Sequence, residues 1–243
     1  MTAALLLLVA CLYAVVGHGG ASGYLAVMAL AGFEPAAMKP TALVLNLIVA
    51  LIGTVAFVRA GHFVWRLFWP FAAVAAPFAF LGGKWPVSAD VFKWLVAGVL
   101  VFAAGRLFLP AAAPTQVRPP PWWAVLAAGA GIGFVSGLIG VGGGIFLTPL
   151  LLVCRWSEAK AAAAVSAPFI FVNSVAGLLG HPESISRLPA GWPWLAVAVM
   201  AGGALGAHWG STMARPTYLR PILALVLLIA ALKLALTIIA AAR

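Results

Sequence analysis

The chain has 243 residues, of which 65% are hydrophobic and only 7% charged, and its mean hydropathy is +1.15. No soluble core of this size needs so much apolar sequence, which excludes an ordinary soluble enzyme and points to an all-α polytopic membrane protein. The formal charge of +10 comes from 14 Lys/Arg against 4 Asp/Glu, but the basic residues punctuate apolar runs as topology anchors, so the expected partner is the lipid bilayer and not nucleic acid.

Taken in order, Ala3 to Val16 is the first apolar segment. Thr2 to Val16 reads as structure and not as a signal peptide, since it has no basic n-region and no small-residue cleavage site. After the glycine run Gly17-His18-Gly19-Gly20 comes a short apolar piece, Ser22 to Phe33, then the long segments Ala37 to Val58, Phe63 to Leu81 and Val91 to Leu109. The second half brings Trp122 to Leu138, a second glycine run with a short piece from Gly144 to Cys154, and then Lys160 to Leu179, Trp192 to Met213 and Leu219 to Ala240. Most of these approach the ~20 residues that cross a bilayer, which predicts eight main helices. The two short pieces reach only ~16 to 18 Å and are predicted half-helices or re-entrant segments.

The halves are joined by Pro110 to Pro121, PAAAPTQVRPPP, too dense in proline for a helix. The expected organisation is residues 1–109 as a first membrane repeat, 110–121 as an extramembrane linker and 122–243 as a second repeat. Gly17 to Gly20 lies over Gly140 to Gly143, and the segment from Pro40 to Asn46 lies over Ala167 to Asn173, placing Asn46 on Asn173 and Gly53 on Gly180. The expected fold is two pseudo-symmetric repeats of about four long transmembrane helices plus one short half-helix each. Counting the short pieces as crossings gives five per half, and odd-numbered halves are inverted relative to each other.

The central stretch is Ala128 to Leu152, where Gly129, Gly131, Gly133, Gly137, Gly140, Gly142, Gly143 and Gly144 are followed by Pro149. So many glycines lower helix propensity and permit unwinding, which a bilayer tolerates only against protein or a wet cavity. Half-helix N-termini after such runs offer unpaired N–H groups and positive potential, the requirements of an oxyanion site. The candidate substrate-binding residues are Gly19, Gly20 and Ser22 against Gly142, Gly143 and Gly144, with close helix packing as the alternative use of these glycines. Asn46 and Asn173 sit near mid-helix, where an amide must find partners, and are candidates for ligand contact or interhelical bonding. Thr41 and Ser166 open the same helices and offer hydroxyls, although such groups also bond their own backbone. His18 and His208 are candidates for proton coupling. With Glu34, Asp90, Glu158 and Glu183 all near predicted helix ends, an anion is easier to accommodate than a metal cation, and no cofactor is called for.

The run Gly133-Phe134-Val135-Ser136-Gly137-Leu138-Ile139-Gly140-Val141-Gly142-Gly143-Gly144, followed by Thr148-Pro149-Leu150, resembles the TauE/SafE sulfite exporter family, with a weaker counterpart from Gly17 to Leu25. The first half departs from the pattern, since His18 and Ser22 interrupt the glycines and Lys39-Pro40-Thr41 replaces a small-residue and hydroxyl motif. The resemblance implies secondary transport, with export the leading direction, of small sulfur-containing oxyanions or organosulfonates such as sulfite or sulfoacetate across a bacterial inner membrane. The alternative is an intramembrane serine hydrolase, because Gly20-Ala21-Ser22-Gly23 fits a GxSG pattern and His208 could serve as base. The anion, coupling ion, absolute orientation and any homo-oligomer are open at this level.

Overall fold

A computed structural model of the chain describes residues 1–108 and 117–212, with isolated positions between 228 and 239. The Pro110–Pro121 linker and the Leu219–Ala240 segment thus fall largely outside the described residues. Within them the elements are α1 (Thr2–Ala14), α2 (Ala21–Leu30), α3 (Pro35–Arg59), α4 (Trp65–Lys84), α5 (Ala89–Phe108), α6 (Trp122–Ile139), α7 (Gly144–Val153), α8 (Ala159–Gly180), a 3-10 turn (Pro182–Arg187) and α9 (Trp192–Thr212).

The chain is an all-α polytopic membrane protein, but the expectation of eight long spans needs correction. Four helices among the described residues are both long and apolar enough to cross a membrane: α3, α4, α6 and α8. The first segment is only 13 residues long, because the chain unwinds at Gly17. α5 and α9, of 20 and 21 residues, are long helices but are not among these four. The two short pieces form short apolar helices. α2 and α7 have 10 residues each, or ~15 Å, half the thickness of the hydrocarbon.

Close backbone approaches set the helix directions. Gly202 and Gly206 of α9 lie on the backbone of Leu7 and Cys11 in α1, so these helices run parallel, and Gly133 and Gly137 of α6 lie on Ala75 and Ala79 of α4 in the same sense. α3 and α8 run antiparallel, with Gly53 facing Ala167 and Gly177 facing Leu43. α9 also packs on α3, and α4 on α8. The contacts among α1, α3 and α9 therefore repeat those among α6, α8 and α4. Small residues permit this because lipid supplies no hydrophobic drive between helices, leaving van der Waals contact at short range as the source of cohesion.

The largest apolar cluster surrounds α2, whose Tyr24, Leu25, Ala26 and Met28 are fully enclosed by α1, α3 and α5. A second, built from Phe71, Leu147, Leu151, Val165 and Phe169, holds α7 against α4 and α8. α2 is thus wrapped in protein, as a segment that cannot span the bilayer has to be, and α7 is buried along the face that carries Leu147 and Leu151. At the opposite chain end of α7, the backbone N–H of Arg118 donates to the carbonyl of Arg155 at 2.8 Å, fixing the chain just before α6 to the turn before α8.

Candidate functional site

Both glycine runs are true interruptions. α1 stops at Ala14 and α2 begins after Gly20, while α6 stops at Ile139 and α7 begins after Gly143. The N-cap of each short helix is left-handed, with φ +98 at Gly20 and +83 at Gly143. That conformation places a Cβ against the following carbonyl and is routine only for glycine. Neither N-terminus receives a side-chain capping bond, so its first N–H groups and the positive end of its dipole are left for another acceptor.

α3 and α8 bring the two asparagines to these ends. A Cβ added to Gly142 would meet Asn46 Nδ2 at 2.6 Å, Ile170 Cγ2 at 2.7 Å and Ser174 Oγ at 3.2 Å, and one added to Gly19 would overlap Asn46 Oδ1 and touch Ile170. One added to Gly143 would meet Asn173 Nδ2 at 3.4 Å, and one on Gly144 would lie 3.6 Å from His18 Cδ2. The two breaks therefore converge on one place, with Asn46 between them and Asn173 beside the second. Asn46, Asn173, Ser136 and Ser174 are all 0% exposed, so the place is sealed from solvent. None of these four side chains has a protein hydrogen-bond partner, and for both asparagines this includes the oxygen and the nitrogen. Leaving such groups unpaired costs about 1–3 kcal/mol each, so Asn46, Asn173 and Ser174, which stand beside the glycine runs, are a concentrated reserve of donors and acceptors for a polar occupant.

The remaining candidates are placed less directly. Ser22 Oγ shares a hydrogen bond of 2.9 Å with Tyr13 Oη, and Ser166 Oγ shares one of 2.7 Å with Thr148 Oγ1. Thr41 Oγ1 donates to the carbonyl of Ala37 in its own helix, 2.7 Å away. His18 is half-buried in the first glycine run, its ring edge-on to Tyr13 with centroids 6.3 Å apart. His208 is exposed on α9, whereas the asparagines are fully buried.

Three buried polar side chains escaped the sequence reading. Ser136 and Ser174 are isolated hydroxyls in apolar runs, and only their shared burial distinguishes them, although Ser174 directly follows Asn173. Tyr24 Oη donates to the carbonyl of Gly19 at 2.6 Å and so pins the unwound run to the helix that follows it. Its signal was a phenol within a short apolar helix, where the O–H needs an acceptor.

The groups brought together have the donor and acceptor chemistry that a compact oxyanion calls for. Helix N-termini and Asn Nδ2 atoms donate, no carboxylate opposes them among the residues just described, and Asn Oδ1 atoms accept from a protonated ligand oxygen.

Comparison with known proteins is consistent with this chemistry. The family model described as "Sulfite exporter TauE/SafE" matches residues 2–234. A "Probable membrane transporter protein y4hK" of Sinorhizobium fredii (strain NBRC 101917 / NGR234) is similar, 43% identical over 231 residues that cover 93% of this chain and 94% of the relative. No solved structure gives a significant match.

Proposed function

Because the chain belongs to the sulfite exporter TauE/SafE family and is accordingly a multi-pass transporter of the bacterial inner membrane, we propose that it moves a small sulfur-containing oxyanion or organosulfonate, sulfite or sulfoacetate in type, by secondary transport. Export is the direction we assign. The anion sits between Gly19, Gly20 and Gly142 to Gly144, with Asn46 and Asn173 as its side-chain ligands. Ser22, Thr41 and Ser166, each hydrogen-bonded within the protein, are the further hydroxyls assigned to the anion. His18, beside Gly144, is the candidate carrier of a coupling proton, with His208 as the more remote one.

The observation that carries this reading is the pair of fully buried asparagines, each with both amide atoms unpartnered by protein, beside two glycine-capped helix starts. A carboxamide offers one donor group and one acceptor, so a singly protonated oxyanion, such as hydrogen sulfite, matches it better than a fully ionised one. The family membership supports transport over the serine hydrolase. So does the pairing of the buried Ser22 with Tyr13, since His208 is exposed.

In the same reading, residues 1–109 and 122–243 are inverted repeats joined by the linker 110–121. The antiparallel crossing of α3 and α8, and the matching of α1 on α9 by α6 on α4, support it. A two-fold axis in the membrane plane makes two states of opposite access equivalent in kind, which is the basis of alternating access.

The test is flux of sulfite or sulfoacetate in proteoliposomes containing the purified chain. Concentrative flux that Gly143→Leu abolishes is the expected result. Flux unaltered by both Gly20→Leu and Gly143→Leu would remove the glycine breaks from the mechanism.

A further inference from the structure

At the end of the bundle where α3 and α5 begin and α4, α6 and α8 end, the described residues surround a cavity of about 390 Å³. Lys39, Lys84, His181 and Arg187 contribute to its wall, and no carboxylate is among the lining residues. Lys84 and Arg187 are exposed, whereas Lys39 is half-buried. The Lys39 ammonium donates to the carbonyl of Gly83 at 3.1 Å, and the only salt bridge among the described residues is Lys93 with Asp90. One bond to a carbonyl leaves two of the three ammonium donors for another acceptor, and a cation withdrawn from water without a counter-charge is costly.

The position of Lys39 gives this arrangement a direction. Its Cγ is 3.1 Å from where a Cβ on Gly140 would stand, and Gly140 ends α6 and opens the second glycine run. Asn46 follows Lys39 by two turns on the same face of α3, a rise of ~10 Å. The inner end of the cavity and the buried amide are therefore consecutive stations on one helix face, with the glycine run passing both.

We propose that this cavity is the mouth through which an oxyanion reaches the buried amides, and that Lys39 at its inner end is a specificity-determining residue that takes the anion from water. Lys84, His181 and Arg187 collect negative charge at the rim, because a cleft lined by one sign with low-dielectric walls concentrates the opposite ion. Lys39 then exchanges its surplus donors from water to the anion while its bond to Gly83 holds the stem in place. The proposal rests on the anion reading of the buried site, but its test does not depend on transport.

The experiment uses the full chain in nanodiscs, with Cys11 and Cys154 replaced by alanine and a single reporter, Ala36→Cys, in the cavity wall. Val87→Cys is the second reporter should the first not fold. Modification rates are measured with a sulfonate-bearing and a trimethylammonium-bearing methanethiosulfonate, each normalised to its rate with free cysteine. The anionic reagent is expected to win by ~10-fold or more, with the preference reduced several-fold by Lys39→Met and kept by Lys39→Arg. Equal rates for the two reagents, or a preference indifferent to Lys39→Met, would overturn the proposal. Charge preference without any flux would instead count against the transport reading and leave the cavity assignment standing. In proteoliposomes, Lys39→Met is expected to raise the KM for the anion ~10-fold or more with a smaller change in maximal flux, and unchanged KM overturns the role of Lys39.

Discussion

Asn46 touches both glycine runs through one side chain, its Nδ2 standing 2.6 Å from the Cβ position of Gly142 and its Oδ1 directly against Gly19. An amide so placed reports on the closure of both breaks at once. Asn46→Ala and Asn173→Ala are each expected to weaken anion binding by ~10- to 100-fold, the equivalent of about 1.5–3 kcal/mol for a hydrogen bond to a charged group. Calorimetric titration of the purified protein with sulfite measures this. Two variants that bind as tightly as the unaltered chain would show that the asparagines serve helix packing.

Glycine positions divide into those that the backbone or a neighbour forbids to a side chain and those that are open. Gly142→Ala faces φ +73 and contact with Asn46 and Ile170, and should destabilise the protein by about 1–2 kcal/mol from conformation alone and suppress flux. Gly98→Ala and Gly131→Ala meet nothing within 4 Å and should stabilise their helices by up to ~1 kcal/mol. Thermal unfolding in detergent, read beside flux, separates the two classes.

The parallel pairs α1 with α9 and α4 with α6 depend on backbone contact at small residues. Gly206→Leu drives a side chain into the carbonyl of Cys11, and Gly137→Leu does the same at Ala79. Loss of close packing and overpacking together should cost about 1–3 kcal/mol or more. Size-exclusion profiles and unfolding temperatures indistinguishable from the unaltered chain would show that these helices do not meet as described.

Tyr24→Phe removes the bond to the Gly19 carbonyl while keeping the ring that packs under Gly20. A loss of about 0.5–1.5 kcal/mol from the closed arrangement is expected, visible as a flux change of roughly 2- to 10-fold at normal expression.

Ser22→Ala separates transport from hydrolysis. Its partner is Tyr13, so flux should persist within about 10-fold of the unaltered chain, the range of one hydrogen bond, and the unaltered protein should not react with a fluorophosphonate. Covalent labelling at Ser22 would reinstate the hydrolase.

The two short helices were legible to within three residues, Ser22 to Phe33 against the observed Ala21–Leu30 and Gly144 to Cys154 against Gly144–Val153. Left-handed glycine N-caps are a local property, and local properties survive in sequence. Asn46 and Asn173 were legible for a related reason, since an amide inside an apolar run has no solvent to satisfy it. The first span was read too long because the sequence does not show that Val15 and Val16 already belong to the turn into Gly17. Thr41 and Ser166 were read as hydroxyls on offer to the site or to their own backbone. Whether a hydroxyl bonds its own helix, as Thr41 does with Ala37, or a neighbour, as Ser166 does with Thr148, depends on where the next helix lies.

Composition and the glycine pattern by themselves determined that this is a membrane protein broken twice by unwound backbone, because hydropathy and left-handed conformations are properties of short stretches of chain. Only the tertiary structure decided that Gly19 and Gly142 share one amide, that Ser174 is enclosed with it, and that Lys39 stands between that amide and an open cavity. Those facts depend on distances across helices from opposite halves of the chain, which are set by how small residues let the backbones approach.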